Sequence, residues 1–336
     1  MVRGRGKSLL HHEMKQERMS TALVILNYNN WEDTIHCMES VEKYNTAPVK
    51  YIIVDNGSTR KDCVLSLCGW MYDFFGENCQ FVTAGQTPPP KLPRATLITS
   101  KANEGYARGN NIGIQYVKQS AEIVNVMILN NDVLFVEDII PSLAYSLVSL
   151  PDCAIVSPIL YKKGMQEVDY NCARLHKNEW KLILSNFDMF SGLLRDYHIL
   201  RKEIGNELSE PIEIELPSGS CMLMSKDTVT RLHIFDPNTF LYFEEDIIYK
   251  KIQRLGLKNY LLPNMKCVHL GASSTKKVKE TFLMKTAFYS QKYYLESYCC
   301  LTLLQKYVLS LASLYLSSKL VLLSYKHKLL RNHERT

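Results

Sequence analysis

The ten cysteines of this chain include no C-x-x-C pair, and two of them, Cys299 and Cys300, are adjacent. Spacing of this kind excludes the usual zinc clusters and offers no disulfide framework, so the thiols read as reduced, buried small side chains of a cytoplasmic protein. Residues 1–19 are polar and basic and lack the apolar core of a secretion signal. Near the C-terminus the longest strongly apolar stretch, Tyr307 to Ser318, is bounded by Lys306 and Lys319. It falls short of the roughly 18 residues a membrane span requires, and no transmembrane helix is expected. No G-x-S-x-G elbow, P-loop or G-x-G-x-x-G occurs, which removes the best support for a serine hydrolase, an ATPase or a dinucleotide enzyme. There is no internal repeat, and no low-complexity tract beyond the three prolines of the segment Gly85 to Arg94.

What is present suits a globular enzyme. The chain has 336 residues, 46% hydrophobic and 22% charged, enough to bury a sizeable core and too apolar for disorder. The net charge of +6 sits mostly at the two ends, which argues against nucleic acid as a partner. A basic leader (1–19), one main domain (20–275) and a helical tail (276–336) are expected.

Ala22 to Leu26 is a β-rich apolar run that ends in Asn27, Tyr28, Asn29 and Asn30. A helical stretch from Thr34 to Tyr44 follows, and Lys50 to Val54 repeats the strand pattern into Asp55, Asn56, Gly57 and Ser58. Strand, helix, strand with polar residues at both strand ends is a βαβ unit. Cys63 to Phe75 reads as a helix, Gly85 to Arg94 as a loop, and Thr96 to Thr99 and Val124 to Leu129 as strands, the last ending in Asn130, Asn131 and Asp132. Gly105, Gly109 and Gly113 share nearly one face of a predicted helix and would let another backbone approach. Farther on, Pro217 to Met224 reads as a Gly-containing turn into a strand, and Phe240 to Gly256 as a loop into a helix. The result is an α/β fold, Rossmann-like, with a mostly parallel sheet flanked by helices and ligand groups at the strand ends.

Several polar residues invite a chemical reading beside a plain one. Asp55 could orient a base or ribose, or simply cap its own turn. Asp132 could ligate a divalent metal through oxygen while a diphosphate completes the shell. Glu244, Glu245 and Asp246 could complement a helix dipole, or one of them, desolvated by the aromatics before it, could act as general base. His269, followed by Ser273, Ser274, Lys276, Lys277 and Lys279, suits a metal or a diphosphate, although a lone histidine is more often structural.

In order, LVILNYNN from Leu23, VDNGS from Val54, NEGYARGNNIG from Asn103, LNND from Leu129, SGSCML from Ser218, FLYFEED from Phe240 and HLGASS from His269 resemble glycosyltransferase family 2, in particular its bacterial rhamnosyltransferase-like branch. The likeness covers about residues 20 to 275 and rests on the ordered set rather than on any one motif. It implies a GT-A fold, a nucleotide-sugar donor, Mn2+ or Mg2+, and inversion at the anomeric carbon. By that resemblance Asn27, Tyr28 and Asn29 match the first-strand motif, with the aromatic against the nucleobase, and Asp55 the acid that bonds the base. Asn103, Gly105 and Asn111 match the motif that shapes the nucleotide pocket. Asn131 and Asp132 match the metal-binding acidic pair with its first acid replaced by an amide, which leaves Asp132 as the charged ligand. The base slot, roughly eleven residues before a helix-ending glycine, counts back from Gly256 to Glu245, with Asp246 second. His269 matches a histidine that touches metal or diphosphate.

The implied acceptor is a hydroxyl of a saccharide or lipid-linked molecule in surface-polysaccharide assembly. A sugar-phosphate nucleotidyltransferase would want a glycine-rich basic loop where NYNN stands. An inactive sugar-nucleotide-binding subunit is favoured by Asn131 and disfavoured by the intact acid triplet. In the tail, a helix from about Cys299 gathers Lys306, Ser310, Ser313 and Ser317 in one wedge and fills most of the remainder with apolar side chains. Such a helix either packs on the domain or lies in a membrane interface, and the interface reading is preferred.

Overall fold

The computed structural model describes residues 20–194, 210–271 and 279–333. The basic leader and Ser273, Ser274, Lys276 and Lys277 lie outside the described residues. In chain order the elements are β1 (Ser20–Asn27), α1 (Trp31–Tyr44), β2 (Val49–Asp55), α2 (Lys61–Phe75), β3 (Cys79–Thr83), β4 (Ala95–Thr99), α3 (Gly105–Lys118), β5 (Ile123–Asn130), β6 (Val133–Phe135), α4 (Ile140–Ser149) and β7 (Cys153–Lys162). They continue with β8 (Ala173–Arg174), α5 (Glu179–Leu184), β9 (Ile212–Ile214), β10 (Leu216–Pro217), β11 (Cys221–Ser225), α6 (Lys226–Arg231), α7 (Glu244–Gln253), β12 (Lys258–His269), α8 (Glu280–Tyr298) and α9 (Leu303–His333).

The main sheet runs β3-β4-β2-β1-β5-β11-β7-β12-β6, with β9 also on β12. The β3 to β5 block is parallel, β11 is antiparallel to both β5 and β7, and β7 and β12 pair in parallel. Both faces of β1 are covered, so its side chains divide by parity. Leu23 and Ile25 pack with Met38, Leu67 and Met71 of α1 and α2, whereas Ala22 and Val24 join Ile114 and Val117 of α3 and Ile248 of α7. The result is three layers, with the sheet between helices.

The glycine face of α3 does what its spacing suggests. A Cβ at Gly109 or Gly113 would come within 2.6 Å of the Leu26 or Val24 side chain, so α3 lies tight against β1 and fixes the loops at that end. Strand β12, by contrast, has no clear sequence signature. Its register shifts between Leu262 and Lys266, around Pro263, which breaks the alternation by which a strand is recognised.

The tail differs from the expectation in length. Helix α8 ends at Tyr298, and α9 starts after Thr302, whose hydroxyl accepts from the Gln305 N–H (3.3 Å) while Gln305 Oε1 accepts from the Thr302 N–H (2.8 Å), a capping box. Lys306 and Lys319, which bound the strongly apolar run of the sequence, both fall within α9 and its longer apolar stretch, because a long cationic side chain can leave an apolar helix without ending it. Leu303–Leu323 is thereby long and apolar enough, by length and composition, to cross a membrane, contrary to the sequence expectation. One face of α9, with Leu309, Ala312 and Leu316, packs on Leu182 and Ile183 of α5 and Phe288 and Leu295 of α8.

Candidate active site

The polar ends of β1, β2 and β5 meet at the carboxyl edge of the sheet, where open α/β folds bind ligands. Asn27, wholly buried, donates from Nδ2 to Asp55 Oδ1 at 2.7 Å and accepts from Thr34 Oγ1 at 2.8 Å. Asp55 Oδ2 accepts from the Ser58 N–H at 3.1 Å, so this carboxylate both caps its turn and anchors β1 to β2. Asn29 sits at φ 55°, a left-handed conformation that asparagine tolerates, and its Oδ1 accepts from the N–H groups of Thr59 (2.7 Å) and Arg60 (2.8 Å). Tyr28 beside it is half-buried.

Asn103 and Gly105 join this edge through Asn56 of the VDNGS motif, a residue to which the resemblance gives no role. Asn56 Nδ2 donates to Asn103 Oδ1 and to the Gly105 carbonyl, each at 3.0 Å. Gly105 has φ +80°, and a Cβ there would sit 2.4 Å from the Phe240 carbonyl oxygen, which also accepts from the Tyr106 N–H at 2.7 Å. Glycine is required here by both conformation and space. Asn111, six residues farther along α3, donates to the Phe235 carbonyl at 3.0 Å and lines a separate cavity with Pro88, Ile98 and Pro237. It is not brought to the carboxylates. Asn131 turns inward, its Nδ2 donating to the Asn30 carbonyl (3.1 Å) and Thr34 Oγ1 (3.0 Å), partners that call for an amide rather than a carboxylate.

The acid triplet opens α7 behind two successive left-handed residues, Tyr242 (φ 76°) and Phe243 (φ 69°). Non-glycine residues in that region cost about 1–3 kcal/mol each and persist where a site needs them. Glu245 Oε1 accepts from the Gly219 N–H at 3.0 Å, and Oε2 lies 3.5 Å from Arg174 Nη2. Burial raises the Asp246 carboxyl, against the pull of Arg174 and Lys177, to about 6. Burial and then the Glu245 charge push the Glu244 carboxyl up to about 8. Burial likewise draws the Lys177 ammonium down to about 8 in spite of Asp246. Two carboxyls, Glu245 and Asp246, and two cations, Arg174 and Lys177, thus line one partly desolvated volume, with the buried Glu244 behind them.

His269, at the end of β12, lies between two carboxylates. Its Nδ1 is 2.8 Å from Asp169 Oδ2 and its Nε2 3.5 Å from Asp132 Oδ1, with Ser220 Oγ at 3.4 Å. Burial disfavours the imidazolium, but hydrogen bonds and charges from Asp132 and Asp169 outweigh it and raise the ring to about 9. With Nδ1 occupied by Asp169, a neutral ring presents Nε2 toward Asp132, the usual way an outer carboxylate orients a metal-binding histidine. Among the described residues no group of three or more His, Cys, Asp or Glu is arranged to hold a metal ion. Asp132 and His269 stand 3.5 Å apart as a carboxylate–imidazole pair, so a divalent cation there would need its remaining donors from elsewhere, as a diphosphate could supply.

A cavity of about 560 Å³ brings Glu245 and Asp246 together with Asp169, Arg174, Lys177 and His269, whereas Asp132 and the ends of β1 and β2 lie outside its lining. Asp169, Arg174 and Lys177 come from the stretch after β7 that carries no motif. Only the proximity of three ionisable residues within nine positions hinted at them.

No family model matches the chain, and no curated protein sequence matches it significantly. Among solved structures, GalNAc-T7 with UDP, GalNAc and Mn2+ is similar over 88% of this chain, with a TM-score of 0.59 and 11% identity. The chain has the GT-A fold. TarS residues 1–349 of S. aureus matches 74% of it, with a TM-score of 0.45 and 11% identity. This chain spans 57% of the GalNAc-T7 chain and 60% of the TarS chain. Within this GT-A fold, His269 of β12 and Glu245 of α7 line one cavity, and Asp132, in the turn between β5 and β6, reaches His269.

Proposed function

We propose that the chain is an inverting, metal-dependent glycosyltransferase of family 2 that moves a sugar, rhamnose among the candidates, from a UDP- or dTDP-linked donor to a hydroxyl of a saccharide or lipid-linked acceptor in surface-polysaccharide assembly. The observation that carries this reading is Glu245, fixed by the Gly219 N–H and Arg174 on the wall of the cavity that also holds His269. Mn2+ or Mg2+, held by Asp132 and His269, would offset charge on the departing nucleoside diphosphate. Tyr28, with Asp55 and Asn103 shaping the loops around it, is placed to receive the base. Glu245 takes the proton of the acceptor hydroxyl, the oxygen attacks the anomeric carbon opposite the leaving group, and one displacement inverts that centre. Asp246, more deeply buried, stands second as base. All ten cysteines are unpaired, which supports a reducing compartment such as the cytoplasm.

The inward-turned Asn131 favours one alternative, a sugar-nucleotide-binding subunit of weak activity. A thermal-shift screen of UDP- and dTDP-sugars with Mn2+ or Mg2+ tests the main reading, since a ligand of the native state raises the melting temperature. A donor that acts only with metal, and is then consumed with an acceptor, supports it. Metal-dependent binding without turnover supports the subunit. A melting temperature unmoved by every nucleotide sugar refutes both.

A further inference from the structure

Helix α9 has two unlike sides. Gln305, Leu309, Ala312 and Leu316 are buried against the domain. On the opposite side Tyr307, Leu314 and Val321, seven residues apart and so nearly in line along a helix, are 63%, 66% and 66% exposed. Leu303, Leu304, Leu311 and Leu322 flank that line and are exposed as well. Only 17% of the apolar stretch Leu303–Leu323 is buried, too little for a core helix.

We propose that this outer side of α9 lies flat on an anionic lipid surface. Three further observations point to that occupant. First, the 31 residues of α9 contain no Asp or Glu, whereas the sequence supplies Lys306, Lys326, Lys328 and Arg331 besides the domain-bonded Lys319. A cationic apolar helix suits anionic headgroups, and a second copy of itself would set those cations against one another. Second, the serines of the helix satisfy themselves. Ser310, Ser317 and Ser318 donate to the carbonyls four residues back, Lys306, Ser313 and Leu314, at 2.9, 2.9 and 3.0 Å. A hydroxyl bonded inside its own helix loses little on leaving water. Third, Lys319 and the Tyr315 hydroxyl both bond Asp188 on the domain side.

The packed inner face distinguishes lying on the membrane from spanning it, because a span would strip Leu309, Ala312 and Leu316 from their partners. Leu316 and Lys319 also line the cavity that carries Glu245. A bilayer on the outer side therefore lies about one helix diameter, roughly 10–12 Å, from that cavity.

The test uses the full chain in co-sedimentation with phosphatidylcholine vesicles, with and without phosphatidylglycerol. Binding should require phosphatidylglycerol and weaken with salt. The triple variant Tyr307→Glu, Leu314→Glu, Val321→Glu should lose at least about tenfold in partitioning, since it sets charge in the acyl boundary. Its melting temperature should not change, because all three side chains are exposed. Should the triple variant melt early, the single variant Leu314→Glu replaces it. Wild-type chain that binds neither vesicle, or a folded variant that binds as well as wild type, overturns the proposal. A wild-type dimer that the substitutions convert to monomer, without vesicle binding, assigns the face to a second copy instead. Donor binding by these variants is measured in parallel, so that loss of the membrane contact and failure of the glycosyltransferase reading remain distinguishable.

Discussion

The two sides of the candidate site are built on opposite principles. At the ends of β1 and β2 the polar side chains satisfy one another: Asn27, Thr34, Asp55 and Ser58 form a buried circuit of hydrogen bonds. At the start of α7 they do not. Glu244 Oε1 is buried without a hydrogen-bond partner, Asp246 is raised to about 6, and two left-handed residues precede them. The first side is a finished frame whose polar groups already satisfy one another. The second carries electrostatic and conformational cost, which is where perturbed groups mark proton transfer. The Gly105 to Phe240 contact is the join between them.

The comparison breaks most sharply at Glu245. Glu245→Gln keeps size and most hydrogen bonding but removes the base, so turnover should fall roughly 100-fold or more while donor affinity, a property of the other side, is largely retained. Steady-state rates with a direct donor titration decide it, and a larger defect in Asp246→Asn would exchange the two roles.

The join is next. Gly105→Ala places a Cβ against the Phe240 carbonyl at a positive φ, adding a steric clash to the conformational cost, and should lower stability by about 3 kcal/mol or more in denaturant unfolding. Gly76 also has a positive φ, of +58°, but nothing within 4 Å, and Gly76→Ala should carry the conformational cost alone, about 1–2 kcal/mol. Equal costs would mean that the contact contributes nothing beyond conformation.

The smallest effect belongs to His176, packed behind the cavity with Nε2 2.5 Å from the Tyr294 hydroxyl. Burial, and then the charge of Lys250, depress its ring from 6.5 to about 4, so the folded chain holds it neutral while the unfolded chain protonates it first. The stability it confers is complete above pH 6.5 and is lost as pH falls toward 4, on the order of 1–2 kcal/mol after solvent screening. Melting temperatures across that window should flatten in His176→Gln.

Much of the frame was legible in the sequence. Apolar β-rich runs that end in Asn or Asp gave β1, β2 and β5, and glycines every fourth residue gave the tight face of α3, because burial on both faces leaves a continuous pattern. The cavity side was legible only in part. The acid triplet and His269 stand out as residue types, but Asp169 reaches His269 from 100 residues away. Arg174 likewise meets Glu245 only through the fold, and no local pattern encodes such a pairing. Asn111 carries the right residue in the right motif, yet its helical phase turns it to the Phe235 carbonyl. The apolar part of α9 extends past Lys306 and Lys319, which bound the strongly apolar run in the sequence, because long cationic side chains reach past apolar neighbours.

The central claim is that Asp132 and His269 place a divalent cation beside a nucleoside diphosphate. The most direct measurement is calorimetric titration of UDP and dTDP, with and without Mn2+, into wild type and Asp132→Ala. The account expects metal-dependent nucleotide binding in the wild type and its loss in a variant that still folds cooperatively, because Asp132 sits in the turn between β5 and β6 and its removal costs the pairing with His269 but no apolar packing. Nucleotide affinity that is the same in both proteins, with metal and without it, would contradict the assignment.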